Sequence, residues 1–404
     1  MEGIIRQFYD AASIQRWNDH VRPVEFTELD KQAHKATIAY IIAKMEEEIK
    51  PGSFNWVNLI KGSLFEFLYR TILTDIKPAV FHRMMQAKGD ELNKWVFEKI
   101  EKDISSVNNS LMNDFKNYFQ EESYSREEKK ILKAAHYLAT RWEFNIIYNS
   151  GHKFYGIEKT KINIENELED HYGLTGVQKI ALGKKTYGFV DLCGQLRFQK
   201  RWAQSPRIPE TSVLGHMLIV AFMSYLFSIR LNACDKRIYN NFYCALFHDL
   251  PEVLTRDIIS PIKTSVEGLE EIILEYEKIQ LDETILPLLP FSWHSEFKYL
   301  LYNQFDNRII DPNGKLVLDI DENNMSLYNE DQFNSVDGKM IKACDHLAAF
   351  VETSLSISHG IKSAHLIDGH KTLKNNYKNK KISNIDFWTI FQYFELNDNI
   401  LQVK

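Results

Sequence analysis

His248 and Asp249 stand side by side near the end of an apolar helical run, YNNFYCALFHDLPEVL, and Glu252 follows within one turn. Adjacent helical residues point about 100° apart, yet both can reach one ion lying over their shared edge. Residues three and four apart share a helix face, so Glu252 crowds the same side as Asp249 and His248. Ionisable groups beneath an apolar run are costly unless something satisfies them. His216 in LGHMLIVAF and Asp345 in IKACDHLAAF pose the same problem on two further helices. A charged Asp on an apolar face is rare unless it is paired or bound to a metal. Two imidazoles and two carboxylates form a mixed nitrogen and oxygen donor set. That set suits one divalent ion, Mn, Fe, Co, Ni or Zn, better than Ca. Singly, each residue has a blander reading: an HD dipeptide is common, a core histidine is usually hydrogen-bonded, and Asp345 could pair with a cation. Their combination, followed by more acidic residues, points to a metal site.

The order H…HD…D over three helices resembles the HD-domain phosphohydrolase superfamily. The flanks narrow the resemblance. Arg201-Trp202, then E-T-S-x-x-x-H ending at His216, then HDLPEVLTRDIISPIK from His248 to Lys263, are similar to the bacterial HD-domain 5′-deoxynucleotidases (YfbR-like). The similarity runs over about Phe189–Ser358. It implies hydrolysis of a nucleoside 5′-monophosphate, preferentially a deoxy one, to nucleoside and phosphate. By that resemblance His216, His248, Asp249 and Asp345 hold the metal, Glu252 is the general acid or base, and Asp257 positions the attacking water. Arg201 and Trp202 contact phosphate and sugar, the indole crowding a ribose 2′-hydroxyl, and Thr255 and Lys263 are further pocket candidates. The physics is compatible. Four carboxylates would repel a phosphate dianion unless a cation inverted the local sign. Arg201 suits bidentate phosphate recognition. Two other readings stay open: an HD phosphohydrolase acting on a triphosphate, cyclic nucleotide or alarmone, and a nucleotide-sensing module without turnover.

These residues need helices to position them, and most of the chain reads as helix. Ser212–Arg230, Ile238–Leu254 and Lys339–Ser356 show helical spacing, the first after a cap at Thr211 or Ser212. Pro312, Asn313 and Gly314 followed by KLVLDI predict a small hairpin over Asp311–Ile320, inserted in a helical domain. The chain also resembles itself. LKAAHYLATRWE at Leu132–Glu143 lines up with IKACDHLAAFVE at Ile341–Glu352, and GSLFEFLYR at Gly62–Arg70 with HDLPEVLTR at His248–Arg256. Arg16-Trp17 matches Arg201-Trp202, with His34 and His216 following on apolar helices. The matches fall in one order, so the expected architecture is all-α: two HD-like bundles, 1–184 and 185–404, the second carrying the hairpin. In the first copy the HD pair is replaced by Gly62-Ser63 and Asp345 by His136, and His34 is aligned with His216. That copy is expected to hold no catalytic metal and to serve as a structural partner; a regulatory ligand site is the competing reading.

Composition bounds the rest. A formal charge of −6 gives no support for wholesale nucleic-acid binding. Cys193, Cys234, Cys244 and Cys344 show no CxxC spacing and read as free thiols of a reducing compartment. The N-terminus lacks the pattern of a signal peptide, and the apolar stretch Met217–Phe227 is short for a membrane span. A cytoplasmic protein without a membrane partner, acting as a monomeric pseudo-dimer or a homo-oligomer on a nucleotide, is the resulting expectation.

Overall fold

The computed structural model describes residues 1–151, 153–258 and 266–395. The chain is all-α with small strand pairs, and it divides into two compact units. The first runs essentially from Gly3 to Arg197, with Pro287–Pro290; the second comprises Phe198–Leu286 and Phe291 onward.

The first unit is built from α1 (Glu2–Ser13), α2 (Glu28–Ile49), α3 (Trp56–Leu73), α4 (Pro78–Ser105), α5 (Asn109–Gln120), α6 (Arg126–Asn149), α7 (Ile157–Glu169), α8 (Thr175–Ala181) and α9 (Lys185–Gln195). Helix α2 is its centre and packs on α3, α6, α8 and α9. The Thr27 hydroxyl starts it by accepting a bond from the Asp30 N–H, which satisfies a donor that a helix start leaves open. Because α9 packs on α2 and α8, residues 185–195 lie in this unit.

The second unit contains α10 (Val213–Arg230), α11 (Asp235–Phe247), α12 (Glu252–Thr255), α13 (Leu269–Gln280), α14 (His294–Leu301), α15 (Gly338–Ser358), α16 (Ala364–Asn376) and α17 (Phe387–Phe394). Helix α10 packs on α11 and α15. It is apolar on every side, as a fully buried helix must be. It is also long and apolar enough to cross a membrane, longer than the sequence suggested, but its side chains are spent on the core of this unit. Its polar groups are satisfied there: Ser224 Oγ donates to the Asn241 carbonyl at 3.2 Å and Ser228 Oγ to the Ser224 carbonyl at 2.8 Å.

The hairpin exists, displaced from its expected bounds. Strand β1 (Asn307–Ile310) pairs antiparallel with β2 (Leu316–Val317) and, on its other side, with β3 (Val336–Asp337). The punctuating residues form the turn, and the strand before it lies ahead of the expected bounds. Asp311 Oδ1 accepts from the Asn313 and Lys315 N–H groups at 2.9 and 2.8 Å, and Gly314 sits at φ +80°. The third strand sets the start of α15. Asp337 is gripped by Arg237 at 2.6 and 2.7 Å and by Asn241 at 2.7 Å, all three side chains buried. Breaking such a buried pair costs about 3–5 kcal/mol, so the register of α15 against α11 is firmly held. Strands β4 (Lys381–Ile382) and β5 (Ile385–Asp386) form a separate pair before α17.

Candidate metal centre and its surroundings

Three elements of the second unit carry four side chains to one place. Helix α10 brings His216, the end of α11 brings His248 and Asp249, and α15 brings Asp345. One ligand atom each from His216, His248 and Asp345 lie within 4.8 Å of one another. His216 Nε2 stands 3.1 Å from Asp345 Oδ1 and 3.8 Å from Asp249 Oδ2, and His248 Nε2 stands 3.2 Å from Asp249 Oδ2. Donors about 2.1 Å from a common ion stand roughly 3–3.5 Å apart, so the 3.1 and 3.2 Å separations fit one first-row divalent ion, while His216 to Asp249 is wider at 3.8 Å.

The tautomer of His248 supports the same use. Its Nδ1 donates to the Ala245 carbonyl at 2.7 Å, which places the proton there and turns the Nε2 lone pair toward the carboxylates. Holding a ligating imidazole by its other nitrogen is the usual arrangement around metals. Buried His248 Nε2 makes no hydrogen bond among the described residues. A nitrogen lone pair and a carboxylate oxygen at 3.2 Å repel unless a proton or a cation lies between them.

The field is arranged for charge. Burial would raise the Asp249 and Asp345 carboxyls. His248 and His216 overcome it at Asp249, and Lys342 and His216 at Asp345, so both are held below the usual carboxylate range. Burial and then Arg201 push His216 down, whereas Asp249 overcomes burial at His248 and raises it. Lys342 Nζ donates to Asp345 Oδ2 at 3.1 Å.

Beside this centre lies a network whose hub sequence reasoning left out of the site. Glu352, buried on α15, accepts from Arg201 Nε at 3.3 Å, Trp202 Nε1 at 2.9 Å and Thr211 Oγ1 at 2.6 Å. Arg207 Nη1 lies 3.7 Å from the same carboxylate, and its Nη2 donates to Thr211 Oγ1 at 2.8 Å. Burial opposes ionisation of Glu352, but Arg201 and Arg207 lower its carboxyl to about 2. Arg201 is thereby oriented with Nη1 3.8 Å from Asp249 Oδ2. Trp202 holds a left-handed φ of 57°, an outlier for so bulky a residue. A Cβ on Gly369 of α16 would come within 2.7 Å of its ring, so only glycine lets α16 close over the indole. Glu352 and Lys342 carry a signal in the sequence, since both agree with the aligned residues Glu143 and Lys133.

The remaining expected residues are placed less tightly. Glu252 is buried at the start of α12, and its carbonyl accepts from Gln199 Nε2 at 3.0 Å. Asp257 is half-buried, and its charge acts on Arg201. Thr255 Oγ1 turns to the Arg256 carbonyl at 3.3 Å. Lys263 lies outside the described residues.

A family model described as the HD domain matches residues 193–374. This part of the chain is similar to HD domains. The HD unit is similar to curated proteins named 5′-deoxynucleotidase. One, from Photobacterium profundum, is 28% identical over 130 residues, 31% of this chain and 65% of the relative. Another, from Vibrio atlanticus, is 25% identical over 130 residues with the same coverage. The chain thus spans about 65% of the length of the curated relatives it matches.

The framework around the HD centre recurs in the first unit. Trp17 Nε1 and Arg16 Nε donate to Glu143 Oε2 at 2.8 and 3.0 Å, and Trp17 sits at φ 58°. An isolated antiparallel bridge, Gln15 to Thr27, precedes α2 as Lys200 to Ser212 precedes α10. Thr27 caps α2 as Ser212 caps α10. Counting from those caps corrects the sequence alignment: the position matching His216 is Lys31, not His34. The Lys31 N–H bonds the Thr27 carbonyl as the His216 N–H bonds that of Ser212. His34 looks elsewhere, its Nε2 donating to the Val190 carbonyl at 2.9 Å and its ring edge-on to Trp142 at 5.0 Å. Lys31 Nζ instead donates to His136 Nδ1, and His136 matches Asp345.

Proposed function

We propose that the HD unit hydrolyses nucleoside 5′-monophosphates, with preference for the deoxy sugar, releasing nucleoside and inorganic phosphate. The observation that carries this reading is the convergence of His216, His248, Asp249 and Asp345 beside a guanidinium, Arg201, that the Glu352 network holds in place. His216, His248, Asp249 and Asp345 would hold a divalent ion, which would offset the carboxylates, take a phosphate oxygen and lower the pKa of a bound water. Arg201 binds the phosphate dianion and, being pinned by Glu352, loses little freedom on doing so. Glu252, buried next to the centre, passes the proton to the leaving 5′-oxygen. Asp257 orients the attacking water. Trp202 leaves no partner for a 2′-hydroxyl, and burying that group unpaired costs free energy. The relatives' names support the monophosphate reading, and the buried thiols Cys193, Cys244 and Cys344 support a reducing, cytoplasmic setting. We also propose that the two units are copies of one ancestral bundle, on the strength of the recurring Arg-Trp-Glu framework.

Phosphate release from deoxy- and ribonucleoside mono-, di- and triphosphates, with added Mn, Co, Mg or Zn, tests the reading. Deoxymonophosphates should turn over fastest, and Asp345→Ala should abolish the reaction. Equal turnover in Asp345→Ala would place the chemistry elsewhere; faster release from triphosphates would move the substrate class.

A further inference from the structure

The first unit has replaced metal ligands with cations. Lys31 occupies the place of His216, and Lys35 follows one turn later on α2; both side chains are buried. Arg16 and Arg70 reach the same region, Arg16 Nη1 bonding Glu28 Oε2 at 2.7 Å and Arg70 Nε lying 3.8 Å from Glu28 Oε1. Lys35 is paired with Glu66, which also accepts from Tyr118. Lys31 Nζ meets only the His136 imidazole and has no carboxylate within 4.0 Å among the described residues. Arg16 and Arg70 share Glu28, Arg16 also pairs with Glu143, which Arg197 shares, Lys35 pairs with Glu66, and Arg70 lies beside the more exposed Asp75, so Lys31 is the cation of this group left without a carboxylate partner among the described residues.

Buried lysines are rare without a partner. Burial is the largest cause pulling the Lys31 amine below its ordinary range; Glu28 opposes it, and Arg16, Lys35 and Arg70 reinforce it. Burial is also the largest cause lowering the His136 imidazole, and Lys31, Lys35, Arg16 and Arg70 lower it further. An anion would supply the partner that Lys31 lacks. Its way in is marked by the less buried members, with Arg70 19% and Glu66 26% exposed and His136 half-buried. Two guanidiniums and an ammonium are donors of the kind a phosphoryl group takes, since it accepts bonds on three oxygens.

We propose that the first unit binds a phosphate-bearing small molecule without hydrolysing it, with Lys31, Arg16, Arg70 and His136 as its ligands. The Lys31 ammonium stands where the HD unit sets its metal. Attraction for phosphate is kept and the means of activating water is lost. The two sites are separable, so failure of this binding leaves the hydrolase reading untouched, and the reverse also holds.

The test uses the full chain, stripped of metal by a chelator so that no ion in the HD unit can hold phosphate. Binding of inorganic phosphate and of deoxyadenosine monophosphate is followed by equilibrium dialysis and by the His136 imidazole resonances. The wild type and Asp345→Ala should bind saturably and shift His136. Lys31→Met should bind at least about tenfold more weakly, as expected for loss of a charge-assisted bond, and Lys31→Arg should recover most of it. Should Lys31→Met fail to fold, Arg70→Gln, at the exposed rim, should weaken binding by a similar factor. Absence of saturable binding in the wild type, or binding that ignores both Lys31→Met and Arg70→Gln, would overturn the proposal. Binding of the nucleotide but not of phosphate, with no His136 shift, would overturn it too.

Discussion

Each unit has its own slot beside an Arg-Trp-Glu framework, and the two slots carry opposite chemistry. In the HD unit the slot holds His216 facing Asp345; in the first unit it holds Lys31 facing His136. Around each slot the same framework is kept, an Arg and a left-handed Trp bonded to a buried Glu on a long helix. The difference teaches that the framework and the reactive centre are energetically separate. The Glu networks tie an Arg-Trp segment to a long helix in both units. The centre is decided by which donors occupy the slot.

Removing the metal ligands should break the comparison most forcefully. Asp345→Ala should lower phosphate release on the order of 10³-fold or more, with bound metal falling from one equivalent per chain to none by elemental analysis. Ser63→Ala, at the position matching Asp249, should leave both unchanged. Two metal equivalents per wild-type chain would show that the first unit is not cation-substituted at all.

Next in size come the two hubs. Glu352→Ala and Glu143→Ala each strand buried guanidiniums and should each cost about 3–5 kcal/mol in denaturant unfolding. Only Glu352→Ala should also lower kcat/KM, because only there does the network aim a phosphate-binding Arg. Equal losses of turnover would mean that the framework acts through stability alone.

A smaller effect concerns pH. Burial, then the Arg197 charge, lowers His34 to about 3, against an ordinary value of 6.5. Between those values the unfolded chain takes up a proton that the folded chain refuses, so stability falls as pH drops through that window. Replacing His34 by Gln should flatten the pH dependence of stability between pH 6.5 and 4.5 by about 2–3 kcal/mol. Below about 4.5, loss should persist in the variant, because Glu28 and Glu352 are both lowered to about 2 and resist protonation when folded. An unchanged slope above pH 4.5 would remove His34 from the account.

The smallest shift should come from the sugar side. Trp202→Ala should narrow the preference for deoxy over ribo substrates about tenfold, measured as the ratio of kcat/KM values. Trp17→Ala should leave that ratio alone.

Much of the centre was legible in the residues. Ionisable groups at helical spacing in apolar runs are costly when left unsatisfied, so His216, His248, Asp249 and Asp345 stood out as candidate ligands without any knowledge of how the helices pack. The hubs were harder, because Glu352 and Glu143 are ordinary residues until tertiary contact surrounds each with an Arg and a Trp. The hairpin was found but shifted, since the turn is built by Asp311 accepting local N–H bonds, and β1 precedes it in a segment with little strand signal of its own.

Periodicity and burial cost, which are local properties, thus determined the helices, the all-α class and the candidate ligands. Which residue of one helix faces which residue of another was decided only in three dimensions. The first unit shows why. Lys31 and His34, three residues apart, share a face of α2, and composition favours the histidine as the partner of His216. The cap at Thr27 sets the register, and it puts the lysine into the slot.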